Sequence, residues 1–107
     1  MDSKNIHDVV QFSDEKMQKN SFFSSERLFY DAYCLRPGQS QKVHTHDDSD
    51  KVYFVVNGTG SFTVGEETKE LTDGDAVIAR AGERHGVANE SDDDLTLLVT
   101  MAPPPTH

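Results

Sequence analysis

The sequence of 107 residues predicts a single all-β domain, built as a sandwich or a barrel. Short runs rich in β-branched and aromatic residues follow one another along most of the chain, and turns that contain glycine separate them. The length gives room for one hydrophobic core of a size that can fold alone. We see no internal repeat and expect no second domain.

The N-terminal segment, residues 1–20, is polar and mixed, and we expect it to precede the barrel. Residues 8–12 predict a short edge strand. Residues 13–19 predict one or two helical turns, because a serine that can cap the helix is followed by acidic residues and the run ends in lysine. The segment is expected to cover an edge of the barrel or a partner subunit.

The barrel domain is expected over residues 21–102, where runs of β-forming residues alternate with turn signals. Seven strands are predicted clearly: residues 26–35, 51–57, 59–64, 68–71, 76–79, 85–87 and 95–101.

The turns between these strands carry their own signals. Asn57-Gly58 lies between two β runs and predicts a hairpin. The acidic run 90–94 predicts a solvated loop, and the proline-rich end, residues 103–107, predicts an extended tail because proline cannot donate to a ladder.

Charge and composition exclude several classes of partner. The formal net charge of −9 argues against nucleic acid and anionic membranes, which both require basic patches. No apolar run reaches the length of a membrane span, and the first residues lack the pattern of a secretion signal. The single cysteine, Cys34, cannot form an intrachain disulfide, so we expect a reducing, cytoplasmic location.

Three histidines are the candidate functional residues. In an extended strand, His44 and His46 would point to the same face, because side chains alternate with a period of two. His85, in a later stretch that also ends in β-forming residues, is the candidate third group. Neutral imidazole is a common ligand of transition metals, so convergence of the three would make a metal site.

Two stretches around these histidines resemble the paired motifs of the cupin superfamily. The first motif has glycine, five residues, His-x-His, three or four residues, glutamate, six residues and glycine. The second has glycine, five residues, Pro-x-Gly, two residues, histidine, three residues and asparagine. The residues that match them are Gly38, His44, His46 and Gly58 for the first motif and Gly74, Gly82, His85 and Asn89 for the second.

The resemblance implies a cupin-type jelly-roll β-barrel in which His44, His46 and His85 hold a divalent transition metal. Fe, Ni, Zn, Mn and Cu all accept such a set of nitrogen ligands, so the metal is not identified. The sequence departs from the family pattern twice: Lys51 stands in place of the glutamate, and Arg80 stands in place of the proline. The second departure is expected to reduce rigidity before His85. Arg80 either reaches an anionic ligand or pairs at the surface with one of the many acidic residues.

Lys51 leaves three alternatives open. Its side chain turns to the barrel mouth and leaves a three-histidine metal site, or its ammonium takes the place of the metal, or a bulge brings Asp50 inward as a replacement carboxylate. An ammonium about 5 Å from a dication is repelled by several kcal/mol. By strand alternation Lys51 shares the inner face with Tyr53 and Val55, and Tyr53 is expected to line a ligand pocket.

The opposite face of the same strand carries Val52, Phe54 and Val56, which is too apolar a set to be left in water. We expect this face to pack on another sheet or on a second subunit. Because small cupins of this kind are commonly dimers, the resemblance implies a homodimer.

Two functions follow from the resemblance. In the first, the chain would be a metal-dependent enzyme, oxygenase-like or isomerase-like, that acts on a small molecule; hydrolysis by a metal-bound water belongs to the same class. The alternative is a metal-free binder or sensor of a small ligand, with Lys51 in the pocket. No nucleophile–base arrangement or phosphate loop appears elsewhere in the sequence, so any catalysis is expected to depend on the three histidines.

Overall fold

The computed structural model of the chain describes residues 1–105, in which two antiparallel β-sheets pack face to face. The elements, in chain order, are α1 (Ile6–Val9), β1 (Gln18–Ser24), β2 (Phe29–Leu35), β3 (Ser40–His44), β4 (Asp50–Asn57), β5 (Thr59–Val64), β6 (Glu67–Thr72), β7 (Ala76–Ala79), β8 (His85–Ala88) and β9 (Leu95–Ala102). Among the described residues, no helix combines the length and the apolar character that crossing a bilayer requires.

The five-stranded sheet has the order β1-β2-β9-β4-β7, and the four-stranded sheet has the order β3-β8-β5-β6. Neighbours in sequence therefore often lie in opposite sheets, which is the arrangement of a jelly roll. The predicted all-β jelly-roll fold is confirmed.

The core fills the space between the two sheets. Alternation along β4 is complete, since Lys51, Tyr53 and Val55 are buried and Val52 and Phe54 are not. The same inner face continues across the sheet through paired residues of β9, and the four-stranded sheet contributes from the other side. The buried apolar cluster consists of Tyr33, Leu35, Tyr53, Val55, Phe62, Leu71, Val87, Leu95, Leu97 and Val99.

The N-terminal segment differs from the expectation. The short helix is α1, because the Asn5 side chain accepts a hydrogen bond from the backbone N–H of His7 and so caps it; the strand expected over residues 8–12 is absent. Residues 13–19 form no helix. The Ser13 hydroxyl does accept from the backbone N–H of Glu15, but the chain then enters β1 at Gln18, where pairing with β2 outweighs the local helical preference.

The first strand of the barrel was not recognised in the sequence. Residues 18–24 are polar and aromatic without a clear alternation, yet they form β1 on the edge of the five-stranded sheet. The strand expected over residues 26–35 begins later, at Phe29, because residues 25–28 form a turn in which the N–H of Ser25 donates to the carbonyl of Leu28.

Asn57-Gly58 does not form a hairpin, although the sequence predicted one. β4 pairs with β7 and β9, whereas β5 pairs with β6 and β8, so the chain changes sheets at this point. Gly58 has a φ of 106°, and an added Cβ would lie 2.6 Å from the carbonyl oxygen of Asp94. The glycine is required by a corner that is packed against the end of another loop. At the other end of β5, the two-residue turn Gly65-Glu66 does join paired strands.

The outer face of the five-stranded sheet is apolar and lies partly in solvent. Val52, Phe54 and Ile78 on the adjacent strands β4 and β7 are 36%, 39% and 36% exposed. At the other end of the same face, the N-terminal segment approaches β1 and β2: the Asn20 amide donates to the carbonyl of Gln11 and faces the buried Cys34. The chain thus covers one half of this face itself and leaves the other half without a neighbour among residues 1–105.

Candidate metal site

The three predicted histidines come together where β3 meets β8. His44, at the end of β3, is paired with His85, at the start of β8. The pairing is irregular between Gln41 and His44, which is the mark of a bulge. At Gly86 an added Cβ would lie 2.9 Å from the Gln41 carbonyl oxygen, so this glycine lets β3 approach β8 closely enough for the two rings to meet.

His46 reaches the cluster from a loop. β3 ends at His44, so His46 does not share a strand face with it as the sequence suggested. The His46 carbonyl instead accepts a hydrogen bond of 2.9 Å from the N–H of Gly82, a glycine of the second motif with a φ of 85°. The loop before β8 therefore holds the position of the second histidine.

The ligand nitrogens are close enough to serve one ion. One nitrogen from each of His44, His46 and His85 lies within 4.8 Å of the others. The Nε2 atoms of His44 and His46 are 2.9 Å apart. Two nitrogens bonded to one ion at about 2.0–2.1 Å, at right angles to each other, have about this separation.

Backbone hydrogen bonds to Nδ1 leave Nε2 as the candidate ligand atom in two of the three rings. Nδ1 of His44 lies 2.8 Å from the Lys42 carbonyl, and Nδ1 of His85 lies 3.0 Å from the Glu83 carbonyl. A carbonyl only accepts, so Nδ1 must carry the proton, and in the neutral ring the lone pair is then on Nε2. This backbone contact to the far nitrogen is typical of metal-ligating histidines.

His85 Nε2 is the atom of the site that most strongly indicates a bound ion. It is buried and has no hydrogen-bond partner within residues 1–105. Burial lowers the pKa of His85 to about 4, with a smaller contribution from the charge of Lys51, and burial also lowers the pKa of His44. Both rings are therefore kept neutral, and a neutral imidazole is the form that binds a metal. The residues fit a transition metal ion.

Lys51 lies inside the barrel. Its side chain is 1% exposed, so it does not turn to the mouth. The ammonium donates to Oε1 of Gln41 over 3.3 Å and lies 5.0 Å from the ring centroids of both Tyr33 and Tyr53. Burial lowers the pKa of Lys51 to about 7; the positive charge of Lys19 adds to this effect and Asp31 opposes it.

Asp50 does not replace the missing carboxylate. It is exposed on the outer side of β4, where it accepts a hydrogen bond of 2.8 Å from the N–H of Ala81. The alternative in which a bulge turns Asp50 inward is therefore wrong, since β4 is regular at this point and pairs Asp50 with Ala102. Ala102 itself joins β9, one residue beyond the expected end of that strand.

Tyr53 lies in the interior as expected, and it has a hydrogen-bonding partner. Its hydroxyl donates to Oε1 of Gln41 over 2.7 Å, and the centroid of its ring lies 6.4 Å from the centroid of the His85 ring. Burial raises the pKa of Tyr53 and raises that of Tyr33 to about 12, although the Gln41 side chain acts in the opposite direction on Tyr33. Both tyrosines therefore stay protonated in the neutral pH range.

Gln41, Tyr33 and Asp31 belong to the same interior and were not recognised in the sequence. Asp31 pairs with Val99, and Val99 pairs with Tyr53, so the side chains of Asp31, Val99 and Tyr53 all face inward. Burial raises the pKa of Asp31. Alternation along residues 29–35 was the available signal for Asp31 and Tyr33. Gln41 had no comparable signal, because the bulge in β3 breaks the alternation before His44.

Arg80, the second departure from the motifs, and Asn89, the asparagine of the second motif, lie in different surroundings. Arg80 is exposed, its N–H donates to Oε1 of Glu83, and its side chain lines a cleft of about 330 Å³ between β6 and β7. Asn89 is buried, and its amide donates to the carbonyls of Leu35 and Asp93. Asn89 thus ties the end of β8 to the end of β2 and to the loop before β9.

Comparison with known proteins agrees with these observations. A family model described as a cupin domain matches residues 32–101. The crystal structure of TT1209 from Thermus thermophilus superposes with a TM-score of 0.95 at 48% sequence identity, covering 98% of this chain and 100% of that chain.

Two curated relatives are more distant. An uncharacterized protein of Streptomyces coelicolor is 38% identical over 85 residues, which are 78% of this chain and 77% of the relative. The oxalate-binding protein of Thermotoga maritima is 27% identical over 85 residues, 79% of this chain and 69% of the relative. With two packed antiparallel sheets, both motifs and a family match over most of its length, the chain belongs to the cupin family.

Proposed function

We propose that this cupin binds a divalent transition metal through Nε2 of His44, His46 and His85 and uses it to act on a small molecule. The observation that carries the proposal is His85 Nε2, a buried lone pair without a partner among the described residues, beside two further imidazole nitrogens. Burying a polar atom without a hydrogen bond costs about 1–3 kcal/mol, which metal coordination would recover.

The chain prepares the site by orienting neutral ligands. The carbonyls of Lys42 and Glu83 fix the rings of His44 and His85, and burial keeps these two rings unprotonated. A bound transition metal would supply a Lewis acid or a redox centre. The reaction class that suits such a site in this family is that of an oxygenase or an isomerase. Tyr53 would serve as an uncharged hydrogen-bonding group beside the three histidines.

The metal content of the purified protein tests the proposal. We expect about one metal per chain in the wild type and a loss of most of it in His44→Ala and His85→Ala, because each variant removes one of three ligands. His7→Ala is the matched control, since His7 is exposed on α1 and distant in sequence from the motifs. Wild-type protein that remains metal-free after exposure to Fe, Ni, Zn, Mn and Cu would refute the metal site.

A second function, metal-free binding of a small ligand, is favoured by one observation. Lys51 is buried next to the imidazole cluster, where a like charge opposes a metal cation. In this case Lys51, Gln41 and Tyr53 recognise the ligand directly. The relative from Thermotoga maritima is named for oxalate binding. Oxalate is therefore the first ligand to test, both for the metal-dependent function and for metal-free binding.

We also propose that the chain forms a homodimer through the outer face of the five-stranded sheet. Val52, Phe54 and Ile78 form a neighbouring apolar set that the chain itself does not cover, whereas the N-terminal segment approaches the other half of this face. Burial of such a set against a second copy would recover about 25 cal/mol for each Å² of apolar surface. We also propose a reducing, cytoplasmic location, which the presence of a single cysteine, Cys34, supports.

A further inference from the structure

The interior around the histidines holds a buried ammonium, and Asp31, a carboxyl group that faces the same interior, forms no ion pair with it among residues 1–105. Lys51 is 1% exposed and forms no ion pair among residues 1–105. Asp31 acts on it only through space, and the three imidazoles bring no negative charge. A buried charge is costly unless it is paired, and a metal ion would add two further positive charges to the same interior.

Hydrogen-bond donors in this interior are also incompletely used. Oε1 of Gln41 accepts from both Lys51 and Tyr53, which fixes the orientation of the amide. Nε2 of Gln41 is then buried and has no partner of acceptable geometry in the described chain, although the Tyr33 hydroxyl is near. Lys51 donates to Gln41, and its Nζ otherwise lies 5.0 Å from the centroids of two tyrosine rings. The unmet requirement is for an acceptor with negative charge.

We propose that Lys51 and Gln41 form an anchor for the carboxylate group of a small-molecule ligand, beside the three histidines. A carboxylate supplies one negative charge and two acceptor oxygens, which match one ammonium and one amide N–H. A phosphate would bring a higher charge than one lysine neutralises, into a protein whose net charge is −9. The inference deepens the proposed small-molecule function and names the class of ligand; it also holds if the site works without metal.

Because position 51 carries a lysine, the negative charge at the site must come from the ligand, whereas the glutamate of the family pattern would supply it from the protein. With a glutamate at that position, the metal site would carry its own carboxylate. With Lys51, the anion must come from the ligand, so ligand and metal should strengthen each other's binding. The anchor is thus the reason a ligand carboxylate would be selected over a neutral analogue.

The experiment is a calorimetric titration of the full chain with acetate, oxalate, acetamide and phosphate, in Ni²⁺-loaded and in metal-free form. Acetamide has nearly the shape of acetate without its charge. We expect acetate or oxalate to bind at least about tenfold more tightly than acetamide and phosphate, as a charge-assisted hydrogen bond implies. Metal content is measured on every sample, so that loss of the ligand and loss of the metal are told apart.

Two variants assign the binding to the anchor. Lys51→Met removes the ammonium at similar volume, and Gln41→Glu places an internal carboxylate beside Lys51; each should weaken carboxylate binding about tenfold or more without removing the histidines. Lys69→Met, an exposed lysine on β6, is the matched control. Circular dichroism confirms that each variant is folded.

The outcomes separate the two proposals. Carboxylate binding that depends on Lys51 and Gln41 supports the anchor, with or without metal. Protein that holds metal but binds acetate and oxalate no better than acetamide overturns the anchor and leaves the metal site intact. Equal carboxylate binding by wild type and Lys51→Met, or a preference for phosphate, also overturns it. Protein that neither takes up Ni²⁺ nor binds a carboxylate refutes the anchor and the metal proposal together.

Discussion

At the scale of single residues, Lys51 departs most from the pattern of its family. Its ammonium is bound by one neutral acceptor and two aromatic faces, and burial lowers its pKa from 10.5 to about 7. The unfolded chain therefore binds this proton more tightly than the folded chain. The cost to the free energy of unfolding is largest below about pH 7 and disappears as the pH rises through about 10.5.

Replacing Lys51 by methionine should therefore stabilise the metal-free protein at neutral and acidic pH. A pKa shift of this size corresponds to about 4–5 kcal/mol at most, because each unit contributes about 1.4 kcal/mol. We expect Lys51→Met to unfold at higher urea concentration than wild type at pH 6, and the difference between the two proteins to shrink towards pH 10. Urea denaturation at several pH values measures this.

Lys69→Met serves as the control, because an exposed lysine should change stability little at any pH. A difference between wild type and Lys51→Met that stays constant from pH 6 to pH 10 would contradict the buried ammonium.

The orientation of Lys51 could be predicted from sequence, whereas its partners could not. Alternation along residues 51–55 places Lys51 and Tyr53 on the inner face, as the structure confirms. Gln41 lies before a bulge, and bulges have no simple sequence signal, so its contact with Lys51 required the three-dimensional structure. β3 ends at His44 and leaves His46 in a loop, and the hydrogen bond between His46 and Gly82 joins two segments 36 positions apart in the sequence.

At the scale of structural elements, the corner at Gly58 decides which strands pair. Its φ of 106° disfavours every residue other than glycine, and a side chain there would collide with the backbone at Asp94. Because β4 and β5 lie in different sheets, this corner separates the sheet that carries Lys51 from the sheet that carries His85.

Gly58→Ala should destabilise the fold by more than the backbone strain alone, which is about 1–3 kcal/mol for a residue held in such a region. Gly74→Ala is the matched comparison: its φ of 87° brings a similar strain, but nothing lies within 4 Å of an added Cβ. We expect the midpoint of thermal unfolding to fall further for Gly58→Ala than for Gly74→Ala. Equal losses would show that the contact with Asp94 relaxes without cost.

Strand patterns were informative where one face is buried and one is in solvent. β4, β5 and β9 follow the predicted runs closely, since packing against the other sheet imposes the alternation. β1 was missed because an edge strand with polar residues on both faces carries little periodic signal. Asn57-Gly58 was misread because a glycine with positive φ suits a change of sheet as well as a hairpin.

At the scale of the whole molecule, the uncovered apolar face on β4 and β7 predicts association. Phe54→Glu places a charge in the middle of this face and should convert a dimer to a monomer, because a buried unpaired carboxylate is strongly unfavourable in an interface. Light scattering after size-exclusion chromatography measures the mass.

Glu67→Gln, on the exposed edge strand β6, is the control for a general effect of charge. A wild-type protein with the mass of one chain would contradict the homodimer, and so would a Phe54→Glu variant that remains a dimer.

The central claim is that three imidazoles from two motifs meet in one metal site, and the most direct test is X-ray absorption spectroscopy of the protein loaded with Zn²⁺ or Ni²⁺. We predict scattering from about three imidazole nitrogens at about 2.0–2.1 Å, and the loss of one imidazole in His85→Ala. A spectrum without imidazole scattering, or one that is unchanged in His85→Ala, would contradict the site formed by His44, His46 and His85.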